Sequence, residues 1–219
     1  MKIDHICFDL DGTLVKSDKT ILKALLETLS ILKIDGDIPE QDFNHVIGLH
    51  FFDIFNTFNI QVPDFEKFIK TYKSVYFDFI DESELYRNVN ETLFVLNENA
   101  DFKISLLTTK SQEQAENIIE HFALSNYFDY LMGRRDGIEY KPSADPLNFI
   151  CNKIDVNAKN TLMIGDTELD INCGKNAGAL TCGVTYGYRT EEKLKLNDPD
   201  YLIDSIDEIH SILKNNRND

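Results

Sequence analysis

The sequence predicts an α/β protein, a parallel-sheet core with an all-helical domain inserted after the first strand. Three observations carry this expectation. From about residue 89 onward, short apolar runs alternate with amphipathic helical stretches, the order expected of a parallel sheet with right-handed crossovers. Residues 20–82 show helical periodicity and no strand pattern. An apolar run from Ile3 to Phe8 precedes that helical block, so the block interrupts the sheet pattern. The expected division is 1–15 with 86–219 for the core and 16–85 for the insertion.

The elements follow in order. Ile3 to Phe8 reads as a buried strand ending in Asp9-Leu10-Asp11-Gly12. Leu22, Leu25, Leu26, Leu29 and Leu32 recur at helical spacing, as do Phe65, Phe68, Ile69, Tyr72, Tyr76 and Phe79. Ten of the 24 Phe and Tyr residues fall between positions 51 and 80, which predicts a small bundle with its own aromatic core. Pro39 and Pro63 each precede a new helical pattern. In the core, Phe102–Thr108, Phe128–Met132, Thr161–Ile164, Thr181–Val184 and Tyr201–Ile203 read as strands. Ser111 with Gln114 predicts a capping-box helix start. Asp145-Pro146 opens a helix, and Gly178 closes the one that follows Asp166.

Charge and composition exclude several classes. Twenty-two Lys and Arg against 38 Asp and Glu give a formal charge of −16, a field that repels nucleic acid and anionic membrane. No apolar run approaches the roughly 20 residues of a membrane span, and the opening residues carry no signal-peptide pattern. Cys7, Cys151, Cys173 and Cys182 form no CxxC pair and read as structural thiols. A cytoplasmic protein, monomer or homodimer, without nucleic-acid or membrane partners is therefore expected.

Chemistry gathers at the predicted strand ends, where open parallel sheets bind ligands. Asp9 and Asp11 stand two apart, so in extended chain they project to one side and repel unless a cation or proton offsets them. Thr108-Thr109-Lys110 places hydroxyls ahead of a helix start, a position that favours anions. Lys141 precedes Pro142 and the next helix, and Gly165-Asp166 ends a strand with Asp170 one turn on. Each alone reads equally well as a cap, a solvated loop or a dipole partner; their joint placement points to a phosphate and cation site.

These four segments resemble the four motifs of the haloacid dehalogenase-like superfamily: DxDGTL, a threonine, a lysine before proline, and GDxxxD. The segment Gly165–Arg189, with Thr185-Tyr186-Gly187-Tyr188-Arg189, is similar to the phosphoglycolate phosphatase branch, as is Asp200–Ser205. The resemblance implies a Rossmann-like core with a helical cap and magnesium-dependent hydrolysis of a small phosphorylated metabolite, phosphoglycolate-like, through an aspartyl-phosphate. It implies Asp9 as nucleophile and Asp11 as acid and base. Thr108, Thr109 and Lys141 would bind the phosphoryl group, and Asp9, the Asp11 carbonyl, Asp166 and Asp170 would surround Mg2+. The alternatives are a pyrophosphatase or nucleotidase of the same branch, then a β-phosphoglucomutase-type mutase, then a non-catalytic binding module. Asp11 argues against a dehalogenase, and Gly165 replaces the Glu usual in the mutases. Thr109 stands where Asn is frequent, Lys16 where Asp is frequent and Ala144 where Pro is frequent, which bears on substrate and not on reaction type.

Overall fold

The computed structural model describes residues 2–216; Met1 and residues 217–219 lie outside the described residues. In chain order the elements are β1 (His5–Phe8), β2 (Val15–Lys16), α1 (Asp18–Leu32), α2 (Glu40–Phe43), α3 (Phe51–Thr57) and α4 (Phe65–Tyr76). There follow β3 (Glu84–Leu85), α5 (Val89–Asn97), β4 (Lys103–Ser111), α6 (Gln112–His121), β5 (Tyr130–Arg134) and α7 (Asp145–Lys153). The chain continues with β6 (Thr161–Gly165), α8 (Glu168–Ala177), β7 (Leu180–Val184), α9 (Glu191–Lys195), β8 (Tyr201–Ile203) and α10 (Ile209–Asn216).

The described residues divide into two compact units, one comprising residues up to Val15 and from Leu85 onward, the other Lys16–Glu84. In the first, six strands form one sheet in the order β5-β4-β1-β6-β7-β8, with neighbouring strands paired in parallel. Strand β1 lies central and buried, with Phe8 in register with Leu106 on one side and Ile164 on the other. Its all-apolar ending follows from burial on both faces. Cys7, Leu107, Met132, Leu147, Ile150, Cys151, Met163 and Cys173 pack together beneath α7 and α8. All four cysteines are free and buried, as the sequence predicts.

One polar cluster sits within this core. The His5 ring nitrogens lie 2.9 Å from Thr161 Oγ1 and 2.7 Å from Ser105 Oγ. Burial lowers the imidazole pKa to about 4, against a weaker opposing pull from Asp129. A neutral ring that both donates and accepts satisfies the two hydroxyls without a buried charge.

The second unit is helical. Phe51 meets Tyr72 and Phe55 meets Phe68 edge to face, with centroids 4.6 Å and 4.8 Å apart, while Phe51–Phe55 and Phe68–Tyr72 stack. Thr20 Oγ1 on α1 lies 2.6 Å from Ser83 Oγ and donates to the Phe79 carbonyl at 2.9 Å, tying α1 to the turn that ends the unit. The aromatic density therefore serves packing.

Three local expectations need correction. Strand β4 does not stop at Thr108: its register shifts between Leu107 and Ser111 and the strand runs on to Ser111. The helix that follows begins at Gln112, so Thr108 is not adjacent to a helix N-terminus. Ser111 does cap that helix, accepting from Gln114 N–H at 3.4 Å, but the Gln114 amide oxygen accepts from the Ser111 hydroxyl and not from the backbone. The apolar periodicity also predicts a final helix from about Ile206 to Leu213, but Ile206–Glu208 forms a 3-10 turn and the chain is α-helical only from Ile209.

Candidate active site

The first acid is placed by sheet geometry. Asp9 follows β1 directly, and its N–H donates to the Ile164 carbonyl at 2.8 Å, which prolongs the β1–β6 ladder by one rung. The chain then turns tightly, with Leu14 and Val15 N–H both donating to the Leu10 carbonyl at 2.9 Å. Gly12 sits at φ +85°, and a Cβ there would fall 2.2 Å from Asp166 Oδ2. Glycine is required on both counts.

Lys141, placed by the segment after β5 and joined to Pro142 by a cis peptide bond, reaches under this turn. Its Nζ donates to Asp9 Oδ1 and Asp170 Oδ1, each at 2.5 Å, and to the Leu107 carbonyl at 3.1 Å. The ammonium is buried. Burial alone would lower its pKa, but Asp170 and Asp9 overturn that and hold it above the usual lysine range. Asp9 is pushed up to about 7, by burial first and by Asp170 and Asp11, with Lys141 opposing.

Asp166 and Asp170 complete the cluster. Asp170, in the first turn of α8, uses both oxygens: Oδ1 accepts from Lys141, and Oδ2 accepts from Thr167 N–H at 3.0 Å and Thr167 Oγ1 at 2.6 Å. Asp166 Oδ2 accepts from Tyr188 N–H at 2.7 Å, while its Oδ1 is buried without a partner. Burial, with Asp9 and Asp170 next, drives the Asp166 pKa well up. Oxygens of Asp9, Asp166 and Asp170 lie within 4.8 Å of one another. An orphaned carboxylate oxygen, two further carboxylates and an all-oxygen donor set fit a hard divalent cation. Asp170, with both oxygens spent, fits the outer part of such a site.

The other expected residues fall around this cluster. The Asp11 carboxylate stands apart from the three-acid group and pairs with Lys110 Nζ at 3.3 Å. Thr108 and Lys141 line one small pocket with Leu107, Met132, Arg134, Arg135 and Pro146. Thr108 Oγ1 accepts from Lys110 N–H at 3.2 Å. Thr109 engages through its carbonyl, which accepts from Arg134 Nε at 3.1 Å.

Sequence reasoning assigned no role to Lys110, Gly187, Tyr188, Glu168 or Arg189. Gly187 approaches so closely that a Cβ would lie 2.2 Å from Asp166 Cβ. Arg189 pairs with Glu168 at 2.9 Å. Partners 21 or 22 residues apart leave no local pattern, and only the glycine in Thr185–Arg189 hinted at a close approach.

The profile of the haloacid dehalogenase-like hydrolases matches residues 6–184. The chain belongs to that family, and with these motifs it is a phosphatase-type enzyme. Pyrophosphatase PpaX of Halalkalibacterium halodurans is 32% identical over 97% of this chain and 98% of its own length. Pyrophosphatase PpaX of Bacillus mycoides is 31% identical over 97% and 98%. A crystal structure of a predicted phosphoglycolate phosphatase from Haemophilus somnus superposes with a TM-score of 0.82 at 25% identity, covering 97% of this chain and 98% of that one. No described helix is long and apolar enough to cross a membrane.

Proposed function

We propose that the protein is a magnesium-dependent phosphatase that forms an aspartyl-phosphate on Asp9, with inorganic pyrophosphate as its favoured substrate. The observation that carries the reaction is the buried Asp9 carboxylate held by Lys141 beside the orphaned Asp166 oxygen. The resemblance alone favoured a phosphoglycolate-like ester. Two relatives named pyrophosphatases, each matching nearly end to end above 30% identity, move the preference to pyrophosphate.

The chemistry follows from the residues. An Asp9 oxygen attacks phosphorus while the bond to the leaving oxygen breaks, and Asp11 delivers a proton to that oxygen. Water then attacks the phosphorus of the acyl phosphate, gives its proton to Asp11, and releases phosphate and free Asp9. Lys141 orients Asp9 and offers positive charge to the phosphoryl oxygens, while Thr108 borders the same pocket. Asp9, Asp166 and the Asp11 carbonyl would hold Mg2+, with Asp170 behind them. A cation there would offset the carboxylates and the charge of the transferring group. Lys110 pairs with the Asp11 carboxylate and offers it a positive charge.

The test is a Mg2+-dependent assay on pyrophosphate, phosphoglycolate and an aryl phosphate, with Asp9→Asn and Asp11→Asn beside the parent. Each variant is expected to lose at least about a thousandfold in kcat on all three. Retention of parental turnover by Asp9→Asn would sink the mechanism. A kcat/KM at least about tenfold higher for pyrophosphate than for phosphoglycolate is expected; the reverse order restores the ester reading.

A further inference from the structure

We infer that Arg189 and Glu168 form a clamp that sets the affinity of the cation site without touching it. This rests on the reading of Asp166 as a metal ligand. Asp166 leaves the end of β6, and Glu168 opens α8 two residues later. Arg189 lies in the segment after β7, next to Tyr188, whose N–H donates to the same acid. Its guanidinium donates side by side to the Glu168 carboxylate, Nε to Oε2 at 2.9 Å and Nη2 to Oε1 at 3.4 Å. The Arg189 side chain is 2% exposed and the Glu168 side chain 34%. A two-point, planar pairing fixes both distance and direction between the two segments.

What the clamp holds in place is the surface against Asp166. In the residues just before Arg189, Tyr188 N–H takes Asp166 Oδ2 and Gly187 packs flat on its Cβ. The Gly12 turn closes the third side. With Oδ2 committed to a backbone donor and the rotamer walled in, Oδ1 is left buried and unpartnered, in a carboxylate that comes within 4.8 Å of those of Asp9 and Asp170. Releasing the clamp lets the Gly187–Tyr188 backbone withdraw, Asp166 gains rotamer freedom, and the cation site loses its preset ligand. Residues that orient a metal ligand in this way typically govern affinity by about 10- to 100-fold. Glu168 and Arg189 are thus positioning residues and not catalytic ones.

The experiment measures Mg2+ binding by titration calorimetry on the full chain, without substrate, alongside the thermal midpoint. Glu168→Gln, on the more exposed partner, is the primary variant. Arg189→Lys keeps the charge and removes the fork. Both are expected to weaken the Mg2+ Kd about tenfold or more, with kcat recovered at saturating Mg2+. The double variant is expected to be no weaker than the worse single variant, since either change opens the same clamp. Asp166→Asn supplies the reference. If it abolishes Mg2+ binding while Glu168→Gln, folded, binds as the parent does, the clamp is overturned and the metal reading stands. If the parent binds no Mg2+, or Asp166→Asn binds normally, both fall together. A lower thermal midpoint with unchanged Kd marks a purely structural ion pair and also overturns the proposal.

Discussion

Lys141 is shared between two buried carboxylates, Asp9 and Asp170, so one positive charge faces two negative ones. The consequence falls on Asp9. Its pKa is about 7 in the folded protein against 3.8 for the free side chain. The metal-free native state therefore holds this proton more tightly than the unfolded chain does. The associated stability is complete below about pH 4 and is lost as pH rises through 7. Asp9→Asn cannot ionise and escapes that loss. In EDTA at pH 8 its thermal midpoint is expected to exceed the parent's by several degrees, and near pH 4 the two should converge. A scanning calorimetry series would measure this. An Asp9→Asn midpoint at or below the parental value at pH 8 would mean that Lys141 already accommodates the ionised acid. His5 acts with the opposite sign, because its depressed pKa removes stability as pH falls from 6.5 toward 4.

At the level of elements, α8 has two tasks that share one side chain. Asp170 closes the helix N-terminus onto Thr167 with one oxygen and holds Lys141 with the other. Acids in a first helical turn are common for reasons of capping and dipole alone, so the second task is invisible in the local sequence. Thr167→Ala removes one donor to Asp170 Oδ2 and is expected to cost about 1 kcal/mol of stability. It should also cost activity, because Asp170 then has freedom to move from Lys141. Urea unfolding and kcat on one preparation would measure the two losses together; a stability loss with unchanged kcat would separate the tasks. The strands were legible because β1, β6 and β7 are apolar runs bounded by polar turns. The end of β4 was not, since Thr108 to Ser111 are polar and belong to the strand only because β5 offers Arg134 as a partner beyond the register shift. The acids of the site were legible one by one from their positions after strands. Their ranking was not: that Asp170 gives an oxygen to Lys141, and that Asp11 turns to Lys110, depend on contacts across roughly 30 to 100 residues of chain.

Over the whole molecule, a charge of −16 surrounds a site meant for anions. Lys141 and Lys110 act at contact distance, whereas the acidic surface acts from further out and is screened more readily by salt. Raising ionic strength from 10 to 150 mM at constant free Mg2+ should therefore raise kcat/KM for a dianionic aryl phosphate, by about two- to fivefold. An enzyme whose local lysines governed approach would show the reverse slope. The thiols of the core carry a different consequence. Burial pushes Cys173 up to about 12 and raises Cys7, Cys151 and Cys182 as well, so none presents a thiolate at neutral pH. Four thiols are present, yet toward thiol-alkylating reagents the folded chain is expected to react as if it had none. A single cysteine introduced on the surface of the helical unit would then be the one site to accept a spectroscopic label, with no native residue removed first.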